Sequence, residues 1–430
     1  MAWVGLWACG VALSAQGQAP AVAPVAAPAR IASPEIHADN SVTFRLAAPR
    51  ATTVAVRGDW PGGASANTTT PMVKGEKGVW SATVGPLKPD IWSYTFLVDG
   101  VSMPDASNPH GNHERQYDSQ FLIPAPETYN FEAHDVAHGT VSAIWYSSPT
   151  ATIPRRRAMV YTPPGYEAGK NRYPVLYLLY QEEEGWLTQG RAAVLLDNLI
   201  ASGKARPMIV VMPSSRSEHV VTASYLDEPL PSAKNLPLNE VPQDMAEVTR
   251  KGGGGVGTPA MLTNAQSIAQ DLVPFIDKTY RTKPDRNNRA IAGLSSPGAE
   301  AFYTGMTHLN TFAWIGAFSG GFPTLPGVSV WIDGPSDPEQ YIGFDLKRTV
   351  DPAKIAALMP DMNSKANLRL LYLAVGSNDP LITTQNIMKK LLDEKGMKYI
   401  SLEVPGYHHE WRFWRWCLND FVPRLFQDAK

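Results

Sequence analysis

Cysteine is almost absent from this chain, which holds two, Cys9 and Cys417, in 430 residues. Cys9 falls inside an N-terminal apolar run that reads as a leader, so the mature chain would keep Cys417 alone and fold without an internal disulfide. An excess of charge of either sign is also missing, with 38 Lys and Arg against 40 Asp and Glu for a formal net charge of -2. That balance offers no basic footprint for nucleic acid and no acidic tail. No CxxC, HExxH or other metal-ligand spacing occurs, so neither metal nor cofactor is called for. Beyond the leader, no segment reaches the roughly 18 unbroken apolar residues of a membrane helix. What is present is a globular composition, 44% hydrophobic and 18% charged, long enough for two or three domains. Its partner would be a neutral small molecule or a polysaccharide.

MAWVGLWACGVALSAQGQA at 1–19 has signal-peptide length, with Ala15-Gln16-Gly17 as a cleavage site, although no Lys or Arg precedes Arg30. Secretion, or export to a periplasm, is the expectation. Leu6-Trp7-Ala8-Cys9 has the form of a lipoprotein box, but too few apolar residues precede it for lipidation. An Ala/Pro linker follows over 20–34. From 35 to 125, short alternating runs such as SVTFRLAAP, TTVAVRGDW, GVWSATVGPL and IWSYTFLVDG are punctuated by Gly, Pro and Asp. This is the pattern of an all-β sandwich, with Val42, Phe44 and Leu46 on one strand face. Phe44-Arg45, Gly58-Asp59-Trp60, Gly78-Val79-Trp80 and YTFLVDG at 94–100 resemble the immunoglobulin-like module of carbohydrate-binding module family 48 found ahead of certain esterases. Trp60, Trp80 and Trp92 could then form a sugar-stacking platform, or could be ordinary core and edge aromatics of a sandwich.

The pattern changes in the second part, 126–430. RRRAMVYTPPGY, RYPVLYLLY, PMIVVMP, NRAIAG, LRLLYLAVG and KYISLEVPG read as strands. GRAAVLLDNLIASGKA, NAQSIAQDLVPFIDKTYR and SPGAEAFYTGMTH read as helices between them. Alternation of this kind predicts a mostly parallel, doubly wound sheet covered on both faces, an α/β class fold. The segment 214–262 exceeds what the fold requires and is expected to be a lid-like insertion, with KGGGG at 251–255 a flexible hinge.

The stretch NRAIAGLSSPGAE at 288–300 carries the chemistry. It places two serines on a strand-to-helix turn, where an α/β-hydrolase has its nucleophile elbow. Ser295 has Gly293 two residues before it and Pro297 two after. Ser296 has Leu294 before and Gly298 after, so each serine meets half of G-x-S-x-G. Ser295 is the candidate nucleophile because it follows the strand end more directly, and the Ser296 N–H would then face the developing oxyanion. Pro297 suits a first-turn helix position yet disfavours helical geometry at Ser296. Downstream, VGSNDPL brings Asp379 past one strand, and VPGYHHEWRFW brings His408 and His409 past the next. Ser, acid and His in this order suit a relay in which the acid orients the imidazole and the imidazole takes the serine proton.

His138-Gly139, VYTPPGY at 160–166, YPVLYLL at 173–179, LLDNLIASGKARPMIVVMP at 195–213, DLVPFIDKTYRT at 271–282, AGLSS at 292–296, VGSND at 375–379 and HEWRFWR at 409–415 together resemble the esterase D-type branch of the α/β-hydrolases. This is carbohydrate esterase family 1, which includes feruloyl and acetylxylan esterases. The resemblance implies a Ser–His–Asp esterase acting on plant cell-wall polysaccharide esters such as feruloylated or acetylated xylan fragments. It also selects His409, since the family places Trp at +2 and +5 of the base, here Trp411 and Trp414. Two positions depart from the family. Its His-Gly after the YPVLYLL strand is replaced by Tyr180-Gln181-Glu182-Glu183-Glu184, where Gln181 would lend an oxyanion amide, and its glycine after the serines is Pro297. Tyr180, Trp186 and Trp411 are candidate substrate contacts. Three readings follow: a hydroxycinnamoyl esterase, an acetyl or short-chain esterase, or a catalytically impaired glycan-binding protein on the same fold.

Overall fold

The computed structural model describes residues 31–60, 68–108, 119–151, 155–181, 184–214, 259–322, 325, 329–331, 348–350, 352–359 and 368–427. The leader and most of the linker therefore lie outside the described residues, as do Glu182, Glu183 and nearly all of the insertion with its KGGGG run.

Period-two alternation builds the N-terminal unit. In strand Val42–Ala47 the even-numbered residues Val42 and Phe44 are buried, and Leu46 packs against them. Two antiparallel sheets enclose this core. One runs Glu35–Ile36, Val42–Ala47, Val79–Val84, Val73–Lys74; the other runs Thr68–Pro71, Val54–Gly58, Ile91–Val98, Val101–Met103, with Ser119–Leu122 also on Ile91–Val98. The sugar-platform reading of the tryptophans fails here, and the core reading holds. Trp60, Trp80 and Trp92 are 2, 7 and 3% exposed. Trp60 stacks on Phe44 at 5.3 Å, and the Trp80 and Trp92 indoles donate to the carbonyls of Ala48 and Lys88. Gly58 makes the first of these possible, because a Cβ there would stand 2.0 Å from the Trp60 ring.

The second unit is an eight-stranded sheet in the order Thr140–Ser147, Arg155–Thr162, Ile209–Pro213, Val175–Leu179, Arg289–Leu294, Trp314–Phe318, Leu370–Gly376, Ile400–Val404. Its first three strands are antiparallel neighbours and the rest pair in parallel. Side chains alternate across it. Val175, Tyr177, Leu179 and Ile291 enter one core with helix Ser295–Thr307, while Leu176, Leu178, Ala292 and Leu294 enter another with helices Ala192–Ala201 and Trp411–Phe421. Covered faces on both sides explain the near-continuous apolar strands. Strand Trp314–Phe318 is an element the sequence reading passed over; AWIGAF at 313–318 is a buried apolar run closed by Ser-Gly-Gly. NAQSIAQDLVPFIDKTYR forms helical segments Pro259–Ser267 and Val273–Thr279 joined by a π turn at Ile268–Leu272. Pro274 supplies the reason, since it lacks the N–H that a regular turn would bond and its ring needs the wider path.

Register aligns the carboxyl ends. Leu179 pairs with Gly293, Leu294 with Phe318, Phe318 with Ala374 and Gly376 with Val404, so the loops after five neighbouring strands open along one edge. Strand Val175–Leu179 is flanked by the strand that follows it on one side and by Arg289–Leu294 on the other. Connections diverge there, which leaves a crevice at the strand ends. Cys417 is buried in the last helix, and burial pushes its thiol well above the ordinary range. Among the described residues no helix is long and apolar enough to cross a membrane.

Helix Ser295–Thr307 carries one buried carboxyl, Glu300, whose Oε1 has no partner. Burial raises its pKa from 4.5 to about 8, against a downward pull from Arg156. The folded protein therefore holds a proton that the unfolded chain releases, and stability falls as pH rises from about 4.5 towards about 8. Glu300→Gln removes the ionisable group at similar volume. Its melting temperature, followed by calorimetry, is expected to exceed the parent's by a margin that widens from about pH 5 to about pH 8, and a margin independent of pH would contradict the buried neutral acid.

Candidate active site

The elbow is built by a close approach of backbone. A Cβ on Gly293 would lie 2.5 Å from the Pro297 carbonyl oxygen, and one on Gly298 would lie 3.0 Å from the Gly293 carbonyl oxygen. Strand and helix can touch there only because both residues lack side chains. Between them Ser295 takes φ +56°, in the left-handed region that costs a non-glycine residue on the order of 1 kcal/mol. The Gly321 N–H holds the strained residue by donating to the Ser295 carbonyl at 2.7 Å. Pro297 is accommodated without distorting the turn. It is the third residue of the helix, where a backbone N–H has no partner within the helix in any case.

Ser295 Oγ lies 2.9 Å from His409 Nε2, and His409 Nδ1 lies 2.9 Å from Asp379 Oδ2. The tautomer that satisfies both contacts carries its proton on Nδ1 and leaves Nε2 to accept the serine proton. Asp379 is 1% exposed. Burial by itself would raise its pKa, but the His409 hydrogen bond and charge, the Ser319 hydroxyl and the Leu381 N–H outweigh it and hold the carboxyl below its usual range. His408 turns elsewhere, with Nε2 3.3 Å from the Asn378 amide. The structure thus brings together Ser295, Asp379 and His409, and leaves His408 out.

Two supporting residues escaped the sequence reading. Ser319 follows the overlooked strand, takes φ +47°, accepts the Trp414 indole N–H at 3.2 Å and bonds Asp379. Trp414 in turn meets the His409 ring edge-on at 4.9 Å and 88°. Asp379, Ser319, Trp414 and His409 close a ring of contacts around the imidazole. The SGG signal after an apolar run could have pointed to this loop. Gly321 is the second, for a Cβ there would stand 2.8 Å from the Ser296 nitrogen, so only glycine leaves space beside that amide.

The oxyanion and substrate candidates fare unevenly. Gln181 lies past strand Val175–Leu179, its carbonyl accepting the Ser214 hydroxyl at 2.6 Å, and Arg156 braces Ser214 and Asn264. Glu184, the described member of the three carboxylates, is exposed and paired with Arg157 at 2.9 Å. Tyr180 packs edge-on to Trp411 at 5.0 Å, and Trp411 keeps a buried indole N–H without a partner. Trp186 is a correction. It is fully buried, gives its N–H to the Leu179 carbonyl and packs on Phe318 and Trp411, so it presents no surface to a substrate. Among the described residues no cluster of three or more His, Cys, Asp or Glu could hold a metal ion.

Known proteins resemble this chain in both of its units. A family described as Putative esterase matches residues 150–425, and Carbohydrate-binding module 48 (Isoamylase N-terminal domain) matches 32–117. A curated endo-1,4-beta-xylanase/feruloyl esterase of Xylanibacter ruminicola is 27% identical over 404 residues, 92% of this chain and 46% of that protein. The chain thus spans about half the length of that relative. The enterobactin esterase of Shigella flexneri, solved in the presence of enterobactin, superposes with TM-score 0.59 at 15% identity over 90% of this chain and 93% of that one. A ferulic acid esterase from Anaeromyces mucronatus gives TM-score 0.49 at 19% identity over 71% and 98%.

Ser319→Ala removes one donor from Asp379 and the acceptor of Trp414 while leaving Ser295, His409 and Asp379 in place. Turnover is expected to fall about 10-fold with KM little changed, the rate equivalent of about 1.4 kcal/mol and close to the worth of one hydrogen bond to a charged group. Steady-state kinetics checks this, and wild-type turnover would remove Ser319 from the relay.

Proposed function

The chain belongs to the putative esterase family, and from that premise we propose that it is an exported serine esterase of plant cell-wall polysaccharides that cleaves hydroxycinnamoyl, above all feruloyl, esters. The observation that carries the reading is the unbroken relay from Ser295 Oγ through His409 to Asp379. Ser295 attacks the ester carbonyl as His409 Nε2 accepts its proton, forming a tetrahedral oxyanion that the Ser296 N–H at the helix start receives. His409 then passes the proton to the departing sugar alkoxide. Water, deprotonated by the same imidazole, releases the acid from Ser295 and restores the enzyme. Asp379 stays ionised throughout and steadies the imidazolium.

The acyl preference rests on the relative from Xylanibacter ruminicola, named as an endo-1,4-beta-xylanase/feruloyl esterase, together with the sandwich ahead of the hydrolase unit. An acetyl or other short-chain ester is the competing substrate. An impaired glycan-binding protein is disfavoured by the elbow, which retains the strained Ser295 and a contiguous relay despite Pro297. Release of ferulate and of acetate from xylan fragments, assayed side by side, tests the substrate, with ferulate expected in excess. Acetate alone would transfer the chain to the acetyl class, and neither product would sink the polysaccharide reading.

Ser295→Ala is expected to lower turnover on the order of 10⁴-fold, whereas Ser296→Ala keeps the backbone amide and costs far less. A dead Ser296→Ala beside an active Ser295→Ala would shift the elbow by one residue.

A further inference from the structure

A second cluster of buried charge sits where the β-sandwich meets helix Trp411–Phe421, and the relay chemistry does not use it. Arg415, 1% exposed, donates to Asp90 Oδ1 at 2.7 Å, to the Ile91 carbonyl at 2.8 Å and to the Gln189 carbonyl at 2.8 Å. Arg412, three residues earlier on the same helix, lies with its guanidinium 4.3 Å over the ring of Trp92. The same guanidinium grips both oxygens of the buried Glu410 at 2.7 to 3.0 Å. Glu410 accepts the backbone N–H of His408 at 3.2 Å. A continuous path thus runs from sandwich strand Ile91–Val98 to the residues on either side of His409.

Burying two guanidinium groups and their carboxylates is costly, and apolar side chains would dock two units at less expense. What ion pairs and a stacked guanidinium add is a fixed angle and register, because a planar fork tolerates little rotation. His409 needs that fixity. Its two nitrogens must meet Ser295 and Asp379 at once, and a misplacement of about 1 Å costs on the order of 10²-fold in rate. Asp379 and Trp414 hold the ring from within the hydrolase unit, and Glu410 holds the backbone beside it.

We propose that the β-sandwich is a positioning part of the active site: Trp92 and Asp90 fix the start of helix Trp411–Phe421, and Arg412 and Glu410 carry that constraint to His409. The inference rests on the proposed role of His409 as base. It assigns the sandwich a task in which Trp92 works from the interior, under Arg412, rather than on sugar.

The test uses the full chain with Trp92→Leu, Trp92→Phe, Arg412→Met and Arg412→Lys, and with Arg45→Ala as a distant control, since Arg45 pairs with Glu35 on the other sheet. Each is assayed for kcat and KM on a small chromogenic acyl ester, for labelling rate with a fluorophosphonate, and for folded fraction by circular dichroism. Trp92→Leu and Arg412→Met are expected to lower kcat and labelling rate about 10- to 100-fold per folded molecule, with KM within about 2-fold. Trp92→Phe should restore most of the rate and Arg412→Lys, a point charge without the planar fork, part of it. Arg45→Ala should match wild type. Because the Arg412 variants leave the sandwich core intact, they read the link even where Trp92→Leu does not fold. Wild-type kcat and labelling rate per folded molecule in Arg412→Met would overturn the proposal. Absence of both hydrolysis and labelling in the unaltered protein would instead overturn the esterase site itself.

Discussion

One contact sets the rest of this molecule in order, the approach of the Pro297 carbonyl to the α-carbon of Gly293. It forces the chain to reverse within a single residue, and Ser295 absorbs the reversal in a left-handed conformation. A serine so placed stands proud of the sheet at the head of a helix, with its hydroxyl toward the crevice. The imidazole can reach it only if the neighbouring strands end at matching heights. The pairing of Leu294 with Phe318, Phe318 with Ala374 and Gly376 with Val404 supplies that match, delivering Ser319, Asp379 and the His409 loop to one edge.

The chain shows three ways to keep a polar group out of water, with three outcomes. Asp379 is buried among donors and stays charged, poised to stabilise a cation beside it. Glu300, within helix Ser295–Thr307, is buried without a partner for Oε1 and is held neutral. Arg415 is buried between a carboxylate and two carbonyls, so its charge is answered from both units of the protein. Depth is alike in all three. The surroundings decide between reactivity, neutrality and rigid attachment.

Most of the architecture was legible because periodicity is local. Alternation over Val42–Ala47 and the buried run Arg289–Leu294 announce a sandwich and a central strand without reference to anything distant. The order of Ser295, Asp379 and His409 was legible for a related reason, since each follows a strand. What stayed hidden depends on partners far apart in sequence. Ser319 gains meaning only when Asp379 and Trp414 arrive beside it. Nothing in HEWRFWR says that Arg412 will lie on Trp92 or that Arg415 will meet Asp90, more than 300 residues away. The tryptophans of the sandwich misled for the opposite reason, because an aromatic on a strand carries the same letter whether it faces a sugar or the core. Trp186 misled likewise, its place beside the crevice in sequence concealing full burial in three dimensions.

Cys417 gives the molecule one further property. Its sulfur is enclosed by the packed side of the last helix, far from the thiolate form that oxidants and disulfides attack. Among the described residues there is no disulfide to be reduced, and the one described thiol is enclosed. Packing within the described residues therefore rests on no cross-link, and forming it calls for no disulfide-forming apparatus.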